Sequence, residues 1–273
     1  MRPLHQPGDR RGLLVYQLVL ILLAIAVIAL VVTCYSRRRV AATSPPARPT
    51  SPTPAGAPPG QGASAGAGVL DMPVKPKPVE ITFEGCPPEG DNPRMAALNR
   101  LKNRVDEGGY RAVPFDSIIA LRWPAPRVER AWTAAERAYV TRYQGIPVAV
   151  EGYLAGAKES GPESPNCHGA DPKYQDWHVW LTKAPGEDRT RSIVVETTPR
   201  VRINHPAWTL AALRRSVRNQ ERVRVSGWLM FDPEHPDQLG RTRGTLWEIH
   251  PIMRIDVQRR GGWVSLDSLS RAH

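Results

Sequence analysis

From residue 146 onward, apolar and polar positions alternate in short runs. The run IPVAVEGYLAG (146–156) places Val148, Val150 and Gly152 on one face. DWHVWLT (176–182), SIVVETT (192–198), ERVRVSGWLMF (221–231) and TLWEIHPIMRIDV (245–257) repeat the habit. A period of two over runs this short predicts five strands. Between the third and fourth, HPAWTLAALRRSVR (205–218) changes to helical spacing, with Pro206 at its start and Leu210, Leu213 and Val217 on one side. Two helices are predicted ahead of the strands. DNPRMAALNRLKNRVDE (91–107) offers Asp91 or Asn92 as cap, Pro93 in the first turn and a stripe of Met95, Leu98, Leu101 and Val105. TAAERAYVTRY (133–143) opens on a capping box, Thr133 with Glu136 three positions on. PFDSIIALRWP (114–124) reads as a turn or partial helix.

The order strand, strand, strand, helix, strand, strand is that of an OB-fold, a five-stranded Greek-key barrel with a helix between strands three and four. The fold class expected is therefore mainly β. The phrases VAVEGYLAG (148–156) and VRVSGWLMF (223–231) each set a glycine inside a strand, where a small barrel must bend or bulge. The barrel is expected over 146–258, a helical extension over 81–145 and a tail over 259–273.

The N-terminal quarter follows a different pattern. Residues 13–35, LLVYQLVLILLAIAVIALVVTCY, carry no charge. Their length suffices to cross the bilayer as one helix, and no small-residue cleavage site follows. A transmembrane helix at 13–35 is expected, after a short tail at 1–12. Residues 36–80 are rich in Pro, Ala, Ser and Gly and cannot bury a core, so they read as a disordered tether. Arginines flank the span on both sides: Arg2, Arg10 and Arg11 before, Arg37, Arg38 and Arg39 after. The positive-inside bias thus nearly cancels. A short tail before a single span favours an extracytoplasmic domain at the plasma membrane.

Charge adds little. The chain is formally +11, and seven of its 37 basic and two of its 26 acidic residues fall in 1–72, leaving +6 on the rest. That balance permits contact with nucleic acid or anionic lipid without demanding it.

Three stretches serve as family marks: LNRLKNR (98–104), VEGYLAGAKESGPESPNCH (150–168) and DPEHPDQLGRTRGTLWEIHPIMRIDV (232–257). In these the chain resembles a poorly characterised bacterial family of membrane-tethered or secreted OB-like domains with a W-E-I-H-P strand motif. The resemblance implies the barrel and a place in the cell envelope. It carries no activity, and a fold alone supplies none.

Chemistry-bearing residues are sparse. Cys86 and Cys167 are the cysteines of the folded part; a disulfide, two free thiols or metal ligation are open to them. Cys86, Cys167, His168 and His178, with Asp176 nearby, offer zinc-type donors, but their spacing is not that of a structural zinc site. His178 and Trp180 share one face of strand two, and Trp177 and Val179 the other. Glu248 and His250 share a face of strand five with Leu246 and Ile252, and Pro251 interrupts the ladder. Glu248 orienting His250 as a base would make His178, Glu248 and His250 the catalytic candidates. No nucleophile elbow, HExxH or phosphate-binding glycine loop accompanies them. A ligand surface is expected from Trp177, His178, Trp180, Arg241 and Arg243, between the loops 157–175 and 232–244.

The leading expectation is a non-catalytic binding or scaffolding module of the envelope, held in the lipid bilayer by residues 13–35, with an envelope protein or polymer as partner. Single-stranded nucleic-acid binding is the second reading, from aromatic and basic residues on strand two. A metal-dependent hydrolase, with zinc the cofactor its donors suit, is the third.

Overall fold

The computed structural model describes residues 70, 75–124 and 129–269. Among the described residues, seven strands form one sheet: β1 (Arg111–Ala112), β2 (Pro147–Glu159), β3 (Trp177–Thr182), β4 (Ile193–Thr197), β5 (Arg222–Phe231), β6 (Trp247–Arg259) and β7 (Gly262–Ser265). Five of them close on themselves in the order β2-β3-β4-β6-β5, and β5 pairs back to β2. The barrel is therefore closed. All its neighbours run antiparallel except β4 and β6, which meet in parallel at Val195 and Ile249. Short β1 runs parallel to β2, and β7 pairs with β6 outside the ring.

Six α-helices accompany the strands among the described residues: α1 (Ala96–Lys102), α2 (Phe115–Ile119), α3 (Ala134–Tyr143), α4 (Pro199–Arg202), α5 (Leu210–Arg218) and α6 (Leu266–Leu269). Helix α5 lies between the third and fourth barrel strands, where the sequence placed a helix. Thr209 caps it, so it starts later than Pro206 suggested, and α4 occupies part of the interval. Helix α3 opens on the full capping box of Thr133 and Glu136. Helix α1 is much shorter than the 91–107 run. Asn92 Oδ1 accepts from the Arg94 backbone and closes a local turn, so no side chain caps α1, which begins after Met95.

Alternation sorts the strand side chains into two faces. The inward set includes Val148 and Val150 of β2, Val179 and Leu181 of β3, Ile193 and Val195 of β4, Val223, Val225 and Leu229 of β5, and Trp247, Ile249, Ile255 and Val257 of β6; all belong to one apolar core. Glycine is required at two crowded points. A Cβ on Gly152 would lie 2.4 Å from the Thr182 carbonyl oxygen, and one on Gly227 would lie 2.3 Å from that of Pro251. The register slips around Gly227, and again between Leu154 and Gly156. The slip beside Pro251 corrects one expectation: Ile252 joins Ile249 in the core instead of sharing the face of Glu248 and His250.

The boundaries differ from those read in the sequence. Residues 75–80, assigned to the tether, are bound to the fold: Lys75 Nζ donates to the carbonyls of Thr141 and Gln144, and Val79 accepts from the Val105 amide at 2.9 Å. Residues 262–269, assigned to a tail, form β7 and α6, with Leu266 buried. Here backbone pairing and one buried leucine outweigh a weakly patterned sequence. No helix among the described residues is long and apolar enough to cross a membrane. The span expected at 13–35 lies outside those residues.

Candidate functional site

The outward face of β3, β4 and β6 carries the chemistry. Asp176, His178 and Trp180 alternate along β3 and the residue before it. Glu196 lies opposite His178 on β4. Glu248 and His250 occupy the matching face of β6. An outward face normally meets water, yet Asp176, Glu196, Glu248 and His250 are buried. The loop 160–175, helix α1, helix α4 and the loop 232–246 cover them.

This cover is polar and tightly bonded. Arg200 of α4 is wholly buried. Its guanidinium donates to Asn103 Oδ1 and Asn166 Oδ1, both at 2.9 Å, and to the carbonyls of Cys86 and Pro87 at 3.0 Å. Burial lowers its pKa to about 10. Cys86 and Cys167 form a disulfide that ties the 81–90 segment to the 160–175 loop. Helix α1 turns its polar side inward, burying Asn99 and Lys102, whereas Met95, Leu98 and Leu101 are only half-buried beside Trp132 and Phe231. The polar side of α1 is therefore the more deeply buried one, because the groups beneath it are carbonyls and carboxylates.

Within the cluster each polar residue is held from one side. His178 Nδ1 lies 2.7 Å from Glu196 Oε1. His250 Nδ1 lies 3.2 Å from Glu248 Oε1 and 3.6 Å from Glu196 Oε2. Asn166 Nδ2 donates to Asp176 Oδ1 at 2.7 Å. His250 Nε2 and Asp176 Oδ2 face each other at 3.3 Å. They are close enough for an ion pair but are not aligned as a hydrogen bond, and neither atom has a hydrogen-bond partner among the described residues. His178 Nε2 is likewise buried without one. On the far side, Arg243 Nη1 binds Asp232 at 2.6 Å and Nη2 lies 3.6 Å from Glu248.

Proton affinities follow from this packing. Burial alone would lower the pKa of His250, but contacts with Asp176 and Glu248 and the charge of Glu196 push it up to about 10. Glu163 is pushed up to about 8, by burial first and by the charges of Glu196 and Asp176 next. Burial works against Glu196, yet the hydrogen bond and charge of His178 bring it down to about 2. Burial also opposes the charge of Lys102, which nevertheless titrates well above the usual lysine range because Glu248, Glu234, Asp232 and Glu163 surround it.

A cavity of about 320 Å³ opens above the cluster. Its walls come from the strands (Lys158, His178, Trp180, Glu196, Glu248), from Ser160 and Glu163 of one loop and from Asp232 through Thr242 of another. Four carboxylates, the Glu163 carboxyl, the cations Lys102, Lys158 and Arg241 and the imidazoles of His178 and His235 line it.

The structure separates the residues that the sequence grouped. His178, Trp180 and Arg241 line the cavity. Trp177 is on the opposite strand face, against the core, with the Arg202 guanidinium 4.3 Å above its ring. Trp180 is buried and covered by Arg189 at 4.0 Å. Each ring has one face covered by an arginine. Arg243 is fully buried in its ion pairs rather than presented to a ligand. The zinc-type group Cys86, Cys167, His168 and His178 is not assembled: both sulfurs are in the disulfide, and His168 sits at the surface 2.7 Å from Asp91. Asp176, Glu196 and His250 come together instead, with one potential ligand atom each, all within 4.8 Å of one another. Glu196 was missed in the sequence reading. Its signal was a single carboxylate in IVVET, on the face that pairing gives to His178.

No family model matches the chain, and no similar protein was found among curated proteins or solved structures.

Proposed function

We propose that the chain is a membrane-anchored, non-catalytic binding module of the cell envelope with an OB-like barrel. Its ligand is a neutral or cationic envelope polymer, or a protein segment of that character. The observation that carries this reading is the cavity's position. It lies on the outer face of the second and third barrel strands, between the loop joining strands one and two and the loop joining strands four and five. OB barrels bind oligonucleotides and oligosaccharides in that place. The mixed lining, with carboxylates beside Lys102, Lys158 and Arg241, favours hydroxyl- or amine-bearing groups that can both donate and accept. Arginines over Trp177 and Trp180 occupy faces on which the bases of single-stranded nucleic acid would stack. The disulfide suits an oxidising compartment, and the apolar run at 13–35 supplies the anchor.

Co-sedimentation of the detergent-solubilised full chain with isolated envelope polymer tests this. Binding should fall at least about tenfold in Asp237→Ala and Arg241→Ala, each truncating a polar contact worth about 1.5 kcal/mol. Equal binding by both variants would overturn the assignment of the cavity. A mobility shift of labelled single-stranded DNA that weakens steeply with salt would favour nucleic acid instead.

A further inference from the structure

We infer that Asp176, Glu196 and His250 form a binding site for a divalent cation of the zinc class beneath the cavity floor. The inference concerns these buried residues themselves and holds whatever polymer or protein the cavity takes. Its first support is the division of labour within each side chain. Asp176 gives Oδ1 to Asn166 and leaves Oδ2 without a hydrogen bond. His250 engages Glu248 through Nδ1 and leaves Nε2 without one. Glu196 engages His178 through Oε1, and its Oε2 lies 3.6 Å from His250 Nδ1; one ligand atom from each of the three residues lies within 4.8 Å of the other two. Asp176 and His250 are thus each oriented by an outer partner on one atom and have another atom for a shared centre, to which Glu196 adds a nearby carboxylate. Carboxylate–histidine–metal arrangements have this form: the outer carboxylate fixes the imidazole and raises its basicity.

The second support is a pair of orphaned atoms. Asp176 is 0 % and His250 1 % exposed, and their unsatisfied atoms face each other at 3.3 Å. A buried polar atom without a partner is costly. Two tetrahedral ligands, each about 2.0–2.1 Å from zinc, lie about 3.3–3.4 Å apart. The separation therefore suits two ligands of one ion as well as it suits a poorly aligned ion pair.

Donor type selects the ion. Two carboxylates neutralise a 2+ charge, and one imidazole nitrogen favours zinc and its transition-metal neighbours over calcium or magnesium, which take oxygen. Access comes from above, where Glu196 and His178 line the cavity. Three protein ligands leave a fourth position on that side. When the ion binds, His250 releases the Nε2 proton to solvent and the nitrogen lone pair forms the bond to the metal. The protein is neither oxidised nor reduced.

The test uses the full chain in detergent micelles, stripped with chelator and dialysed against zinc chloride alone. One zinc per chain is expected, with affinity falling at least about 100-fold in Asp176→Asn and in Glu196→Gln. His178→Ala, which removes only an outer partner, should cost about 10- to 100-fold. His168→Ala, at the surface, should change nothing. Cobalt(II) replacing zinc should show visible d–d bands in the wild type that Glu196→Gln alters, which keeps the test valid if Asp176→Asn fails to fold. Absence of zinc uptake by folded wild-type chain, or uptake insensitive to Glu196→Gln but reduced by His168→Ala, overturns the inference. Loss of zinc binding with polymer co-sedimentation intact would refute this site alone and leave the proposed function standing.

Discussion

Strands β3, β4 and β6 bury both of their faces, and the two faces differ in every chemical respect. On the inner one, Val179, Val195 and Ile249 meet other apolar groups, and burial itself stabilises them. On the outer one, His178, Glu196 and His250 are buried against carbonyls, carboxylates and amides. Desolvation there is unfavourable and must be offset by hydrogen bonds and opposite charge. Equal burial therefore has opposite meanings a residue apart. The inner face holds the barrel closed. The outer face is retained at a cost, and such a cost marks a site. The cover over it, built from α1, α4, Arg200 and the disulfide, keeps the polar face from being merely wet.

Single truncations should separate the two faces most sharply. Glu196→Ala leaves His178 without its carboxylate and should lose about 3–5 kcal/mol in urea unfolding. Ile249→Ala should lose about 2–5 kcal/mol through the cavity it leaves, while zinc affinity of the folded fraction stays within about threefold. If both variants lost zinc equally, the distinction between the faces would collapse.

Next in size comes the cover. Replacing Cys86 and Cys167 together by serine should cost about 2–4 kcal/mol. It should also speed amide exchange in the 160–175 loop ahead of β4. Uniform acceleration across the barrel would mean that the cover is not a separate element.

A smaller change is expected from replacing the whole outer pair. The double variant His178→Leu/Glu196→Leu should lie within about 1 kcal/mol of wild type, or exceed it, because no charge is left unpaired. Its zinc binding should nevertheless be gone. A loss as large as that of Glu196→Ala would show that the pair is kept for stability.

Acid should act on the loop that covers this face. Burial opposes the charge of Asp232, but His235 and Arg243 hold its carboxyl well below the usual range. A folded-state pKa below the unfolded value gives stability that is present above about pH 4 and lost as pH falls toward the folded value. Denaturant unfolding between pH 6 and pH 2.5 should show that loss, and Asp232→Asn should flatten it. An unchanged slope would remove Asp232 from the linkage.

The smallest effect belongs to neither face. Thr133→Ala removes the α3 cap and should cost about 1 kcal/mol, with ligand and metal binding intact.

Local chemistry made much of this architecture legible. The period-two runs located all five barrel strands within a few residues, since alternation follows from the pleat itself. Thr133 with Glu136 marked the start of α3 because a capping box is satisfied by its own four residues. The site was legible only in fragments. Alternation put His178 with Trp180, and Glu248 with His250, but which face of each pair turned inward was open. Arg243 looked like a ligand contact and is a buried counter-ion.

The sequence by itself determined the five barrel strands, helices α3 and α5 and their order, because these depend on neighbours one to four residues away. Tertiary structure alone decided that the outer face is roofed, that α1 turns its polar side inward, and that Asp176, Glu196 and His250 meet. These outcomes depend on segments up to about a hundred residues apart, such as Arg200 bonding to Asn103 and to the carbonyls of Cys86 and Pro87. A buried carboxylate and an exposed one are written with the same letter. Only the surroundings assembled by the fold set its solvation, its proton affinity and its partners.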